Sequence, residues 1–144
     1  MKTDLELAGK PGNGRRILVA DDGLVTRKLL ERKLSQLAFE VVCASDGTQA
    51  LERVREVQPS AVITDLNMPG LNGYELCRAI RQDLQLPSIP LILTSAANVN
   101  ETDLQKARDA GANRFVTRTA DLSDVISALL DTLDGASGGI HHPG

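Results

Sequence analysis

Ile17-Leu18-Val19-Ala20-Asp21-Asp22 runs four apolar residues straight into two acids. A strand with one wet face alternates apolar and polar residues. A run without alternation belongs to a strand buried on both faces, which is the habit of parallel sheets. Four more such runs follow: Val41-Val42-Cys43-Ala44, Ala61-Val62-Ile63-Thr64, Leu91-Ile92-Leu93-Thr94 and the shorter Phe115-Val116. Between them, apolar residues recur at helical spacing. Leu30, Leu34 and Leu37 share one face, as do Ala50, Val54 and Val57, and as do Leu76 and Ile80. Leu104 and Ala107 mark a weaker fourth helix behind Asn100 as N-cap. The last helix is the clearest, with Leu122, Val125, Ile126, Leu129, Leu130 and Leu133.

Five strands alternating strictly with five helices predict one α/β domain over residues 15–134. The physical solution to that pattern is a doubly wound, five-stranded parallel sheet with helices on both faces, joined by right-handed crossovers. A sheet of this size is flavodoxin-like, a (βα)5 sandwich of strand order 2-1-3-4-5, and binds ligands beyond the carboxyl ends of its strands. The 144 residues fit a single domain, and 42% hydrophobic residues suffice for a core that must be aliphatic, because aromatics make up only 2%. The Gly-containing stretches 1–14 and 135–144 are expected to be flexible tails, and His141-His142 within the second is given no role.

A net charge of -3, from 16 basic and 19 acidic residues, argues against nucleic acid or an anionic membrane as a direct partner. No apolar run approaches the ~20 residues of a membrane helix, so a cytoplasmic location is expected. Cys43 and Cys77 lack metal-like spacing and are expected to be small buried hydrophobes in a reducing compartment.

The strand ends carry the chemistry. Asp21-Asp22 end the first strand, Asp65 the third, Thr94-Ser95 the fourth and Thr117-Arg118 the fifth. With the first and third strands as neighbours, three carboxylates converge, and like charges that close call for a proton or a cation. All-oxygen ligation with no His or Cys suits a hard ion, Mg2+ or Mn2+. Any one of these acids alone reads as a helix cap or turn former; three acids, a hydroxyl and a guanidinium at one edge do not. The turn Asn67-Met68-Pro69-Gly70-Leu71-Asn72-Gly73 is built to be tight, and can aim a backbone carbonyl at the metal while leaving Asp65 exposed. A carboxylate can attack phosphorus to give an acyl phosphate. A metal, Arg118 and the Thr94 hydroxyl can then bind the phosphoryl oxygens.

These residues resemble the receiver domain of two-component response regulators, over about Arg16 to Leu133. The markers are Ile17 to Asp22, Ala44-Ser45-Asp46-Gly47 with Ala50-Leu51, Asp65 to Gly73, Leu93-Thr94-Ser95-Ala96, and Gly111-Ala112 with Phe115-Val116. The resemblance implies that Asp65 is the phosphoacceptor, Asp22 a direct Mg2+ ligand and Asp21 its partner through water. It implies that Asn67 lends its backbone carbonyl to the metal. Thr94 would be the switch hydroxyl, and Phe115 the aromatic that changes rotamer with it. A sensor histidine kinase or phosphotransfer protein would donate the phosphoryl group. The surface of the fourth helix, fifth strand and fifth helix would then control a downstream protein or output domain. Such a domain is a phosphoacceptor that catalyses only its own phosphorylation and dephosphorylation, not an enzyme in the ordinary sense. Ala96 offers nothing to orient a hydrolytic water, so a moderate or long phosphoryl lifetime is expected.

Two departures stand out. The family has Lys-Pro after the fifth strand, usually joined by a cis bond; here the pair is Arg118-Thr119. A cis bond before Thr costs about 3 kcal/mol, so a trans bond is predicted. Either the loop is displaced and Arg118 approaches from a new angle, or Arg simply replaces Lys. Gly23 leaves the metal site one acid poorer than in some relatives. The main alternative is a receiver-like protein-binding module acting without phosphorylation. A flavodoxin would need a phosphate-binding loop where Asp21-Asp22 stand, and a P-loop is absent. A haloacid dehalogenase would carry an acid where Asn67 stands.

Overall fold

The computed structural model describes residues 10–134. Ten elements alternate without exception. They are β1 (Arg16–Ala20), α1 (Leu24–Gln36), β2 (Glu40–Ala44), α2 (Gly47–Val57), β3 (Ala61–Asp65), α3 (Gly73–Gln82), β4 (Leu91–Ser95), α4 (Glu101–Ala110), β5 (Arg114–Thr117) and α5 (Ser123–Leu133). All pairings are parallel and the strand order is β2-β1-β3-β4-β5, the flavodoxin-like arrangement expected from the alternation.

Each central strand feeds two cores, because successive side chains leave opposite faces of a strand. Leu18, Val62, Leu91 and Leu93 pack with Ala50 and Val54 of α2, Leu76, Cys77 and Ile80 of α3, and Ala107 of α4. Ile17, Val19, Ile63 and Ile92 pack with Leu30 and Leu34 of α1 and with Val125, Ala128 and Leu129 of α5. Burying one such aliphatic side chain contributes about 1.5–3 kcal/mol. Both faces are covered, which is why the strands read as unbroken apolar runs.

Capping sets the helix ends near the pocket. Asn72 accepts from the Glu75 N–H while Glu75 Oε1 accepts from the Asn72 N–H, a closed capping box. Asn100 and Asp103 repeat that box at α4, so Asn100 is the N-cap its spacing suggested. Leu122, expected inside the last helix, instead precedes it at φ 60°, buried, while Asp121 Oδ1 accepts from the Ser123 N–H and the Thr119 hydroxyl.

The expected tails lie mostly outside the described residues, as do His141 and His142. Where the first is described, it is not free. Gly12 N–H donates to the Leu37 carbonyl and Gly14 N–H to the Ala38 carbonyl, both at 2.8 Å. Any Cβ on Gly12 would run into the Leu37–Phe39 backbone, so a glycine is what lets this segment approach. The packed structure therefore extends a few residues ahead of the boundary expected at residue 15. Among the described residues no helix is long and apolar enough to cross a membrane.

Candidate functional site

β1 and β3 are adjacent, in a register that pairs Ala20 with Thr64. The next residue of each chain path, Asp21 and Asp65, therefore emerges side by side at the carboxyl edge. Asp22 turns in beside them, and one carboxylate oxygen from each of Asp21, Asp22 and Asp65 lies within 4.8 Å of the others. Asp21 and Asp65 are buried, whereas Asp22 is exposed.

Backbone contacts hold this corner. Asp21 Oδ1 accepts from the Gly23 N–H at 2.8 Å, and the Asp21 carbonyl accepts from Arg27 Nη1 at 2.8 Å. Leu66 N–H donates to the Thr94 carbonyl, and Gly73 N–H to the Leu66 carbonyl, folding the turn after Asp65 back onto β4. Gly73 is required there, because a Cβ would sit 2.6 Å from Leu93 Cδ2 and 2.8 Å from the Asp65 carbonyl oxygen. Gly70, at φ 75°, makes the turn itself. Pro69 O accepts from the Gly47 N–H at 3.2 Å, tying the turn to the start of α2.

Arg118 closes the pocket from β5. A single nitrogen, Nη1, lies 2.8 Å from Asp65 Oδ1, 3.3 Å from Asp21 Oδ2 and 3.3 Å from Thr94 Oγ1. The Arg118-Thr119 bond is trans, as predicted from the missing proline. Displacement is absent at Arg118 itself: its N–H donates to the Ser95 carbonyl at 2.8 Å, carrying the β4–β5 ladder one residue further. The guanidinium thus enters the pocket from a backbone still in register.

Burial pushes the Asp21 carboxyl above its ordinary value, and the Asp65 charge adds to that push. The Gly23 N–H and Arg118 oppose it without cancelling it. A buried acid lifted in this way, with two more carboxylates at hand, is short of positive charge. The donor set is all oxygen and lacks imidazole or thiolate, so it fits a hard divalent cation.

Asp21, Asp22, Asp65, Thr94 and Arg118 are therefore brought together. Asn67 is exposed in the turn two residues past Asp65. Phe115 is buried, and Tyr74 meets it edge to face with centroids 6.1 Å apart. Arg27 and Tyr74 were not legible as site neighbours, since neither spacing nor motif marks them. Cys77 is buried as expected, but Cys43 is only half-buried, with Sγ 3.5 Å from Glu31 Oε2. It stands on β2, an edge strand, where α1 covers it incompletely.

Residues 17–130 match the family model of the response regulator receiver domain, and the chain belongs to that family. The DNA-binding response regulator MtrA of Mycobacterium tuberculosis is 35% identical over 104 residues, 72% of this chain and 44% of MtrA. The two-component response regulator ARR15 of Arabidopsis thaliana is 31% identical over 120 residues, 76% of this chain and 58% of ARR15. This chain thus spans about half the length of these relatives. The response regulator TrrA of Thermotoga maritima, solved in complex with Mg2+ and BeF, superposes with a TM-score of 0.72 at 27% identity. It covers 82% of this chain and 98% of its own.

Proposed function

We propose that this receiver accepts a phosphoryl group on Asp65 from a phosphohistidine of a sensor kinase or phosphotransfer protein, with Mg2+ or Mn2+ bound by Asp21, Asp22, Asp65 and the Asn67 carbonyl. The convergence of three carboxylates at one strand edge supports this most directly. TrrA, crystallised with Mg2+ and BeF, supports the metal. A carboxylate oxygen of Asp65 forms the new bond to phosphorus as the bond from phosphorus to the imidazole nitrogen breaks, and the imidazole leaves with the electron pair. When bound, the cation neutralises charge on the carboxylates and the phosphoryl oxygens. Arg118 and the Thr94 hydroxyl are in reach of Asp65 to bind the oxygens that remain.

The signal leaves through β4 and β5. Thr94 pairs with Val116, next to Phe115. Movement of Thr94 toward the phosphoryl group would vacate space beside Phe115, whose ring then repacks against Tyr74 and alters the α4-β5-α5 surface. A downstream protein or output domain reads that surface. DNA binding is a property of MtrA, and its basis is not assigned to this segment. The cytoplasm is the compartment in which such a phosphodonor is met.

Incubation with Mg2+ and acetyl phosphate is expected to add one phosphoryl group, about 80 Da, by intact mass. The gain should vanish in Asp65→Asn and without metal. A protein that binds Mg2+ yet gains no mass would instead be a binding module working without phosphate.

A further inference from the structure

We propose that Arg118 is a resident counter-ion of the acidic pocket that competes with the divalent cation for Asp21 and Asp65. The chain would then bind Mg2+ or Mn2+ more weakly than it would with lysine at position 118. The inference rests on the metal-assisted reading of the site and deepens it.

One nitrogen makes the case. Arg118 Nη1 is within 3.3 Å of Asp21 Oδ2 and 2.8 Å of Asp65 Oδ1. Those are two of the three carboxylates that would ligate the ion. The side chains involved are 17%, 5% and 8% exposed, so water screens these contacts poorly. A divalent cation held by the same two carboxylates would stand close to this positive charge, and the two repel each other across a poorly screened gap. Withdrawal of Nη1 from Asp21, the longer of its two contacts, would relieve that repulsion when a metal binds.

Arginine is suited to hold such a place where lysine is not. Its guanidinium is planar and weakly hydrated, so it remains in a half-buried ion pair at little cost. Lysine ends one bond earlier in a compact, strongly hydrated ammonium. From the same in-register backbone, fixed by the Arg118 N–H to the Ser95 carbonyl, a side chain one bond shorter is expected to lose first the longer contact, 3.3 Å to Asp21 against 2.8 Å to Asp65. The Asp21 contact is therefore the part specific to arginine. Linkage makes the competition reciprocal: a bound metal frees Nη1 from Asp21 and leaves it to Asp65, Thr94 and an arriving phosphoryl group.

The test measures metal affinity of the full chain with no phosphodonor, reading free Mn2+ by electron paramagnetic resonance and Mg2+ by competition. Arg118→Lys is expected to bind Mn2+ at least about fivefold more tightly than wild type, and Arg118→Ala at least as tightly as Arg118→Lys. Mg2+ should accordingly raise the melting temperature of both variants more than that of wild type. In wild-type protein the Arg118 side-chain Nε–H signal should shift as Mg2+ saturates, a readout that needs no variant. Arg118→Lys within about twofold of wild type would overturn the inference even if Arg118→Ala bound more tightly, since that is the effect of removing any charge. An Arg118 signal indifferent to Mg2+ would overturn it as well. Absence of Mn2+ binding in all three proteins would overturn the metal site itself, and the competition with it.

Discussion

Asp21 shows how a side chain can serve a site while weakening the fold. Burial raises its carboxyl above the ordinary 3.8, with the neighbouring Asp65 charge assisting. For an acid raised on folding, the folded state binds the proton more tightly than the unfolded chain. Its contribution to stability is therefore present at low pH and is lost as pH rises through the folded value. At neutral pH, without metal, the ionised group is a burden. Asp21→Asn is expected to be more stable than wild type in EDTA at pH 7, and the gap should narrow as pH falls toward 4. Urea midpoints at the two pH values check this, and equal midpoints at pH 7 would contradict it. Cys77 makes a simpler case: burial pushes its thiol up to about 12. Native protein should leave Cys77 unalkylated by iodoacetamide, and denatured protein should modify it, as mass analysis of the two states will show. Both properties come from burial that a one-dimensional pattern indicates only roughly; Cys43, read the same way, is half-buried.

The turn from β3 into α3 joins a structural element to the site. Asn72 and Glu75 cap the helix, and Gly73 lets its first turn press against the Asp65 carbonyl and the Leu93 side chain. Gly73→Ala favours helix propensity but places a Cβ 2.9 Å from Leu66 Cα. The clash should dominate, costing about 1–3 kcal/mol by denaturant unfolding and lowering the phosphoryl gain proposed for Asp65. Most of this element was legible beforehand. Pro69, Gly70 and Gly73 announce a tight turn, and Leu76 and Ile80 announce a buried face, because both signals depend on neighbours a few residues apart. The start of α5 was less so. Leu122 fits the apolar period and is buried, yet its backbone is left-handed and it stands outside the helix. Burial and helicity part company there, and hydrophobic spacing reports only burial.

Arg81 binds parts of the domain that are distant along the chain. Its Nε donates to the Gly111 carbonyl, Nη1 to the carbonyls of Leu86 and Ile89, and Nη2 to Asn113 Oδ1, which also accepts from the Leu91 N–H. One guanidinium thus satisfies carbonyls in the loops before β4 and before β5, at the end of the sheet opposite the acids. Arg81→Ala would take this donor from the Gly111, Leu86 and Ile89 carbonyls, leaving Asn113 Oδ1 only the Leu91 N–H, and is expected to cost about 2–4 kcal/mol, with faster amide exchange through residues 83–90. A change within a few tenths of a kcal/mol would show that water replaces it.

Periodicity and residue type carried the architecture and the acidic centre. Unbroken apolar runs arise wherever a strand is covered on both faces, and consecutive parallel strands deliver whatever follows them to one edge. Asp21, Asp22, Asp65 and Thr94 were therefore placed by counting strands. The same count put Arg118 at that edge, but the individual contacts of long side chains escape it. Arg118 reaches Asp21 across 97 positions and Asp65 across 53, and Arg81 reaches Asn113 across 32. Where a flexible stem comes to rest depends on the cavity left by every other packed group, as does Tyr74 lying on Phe115. Packing at that range has no period, and only the folded chain supplies it.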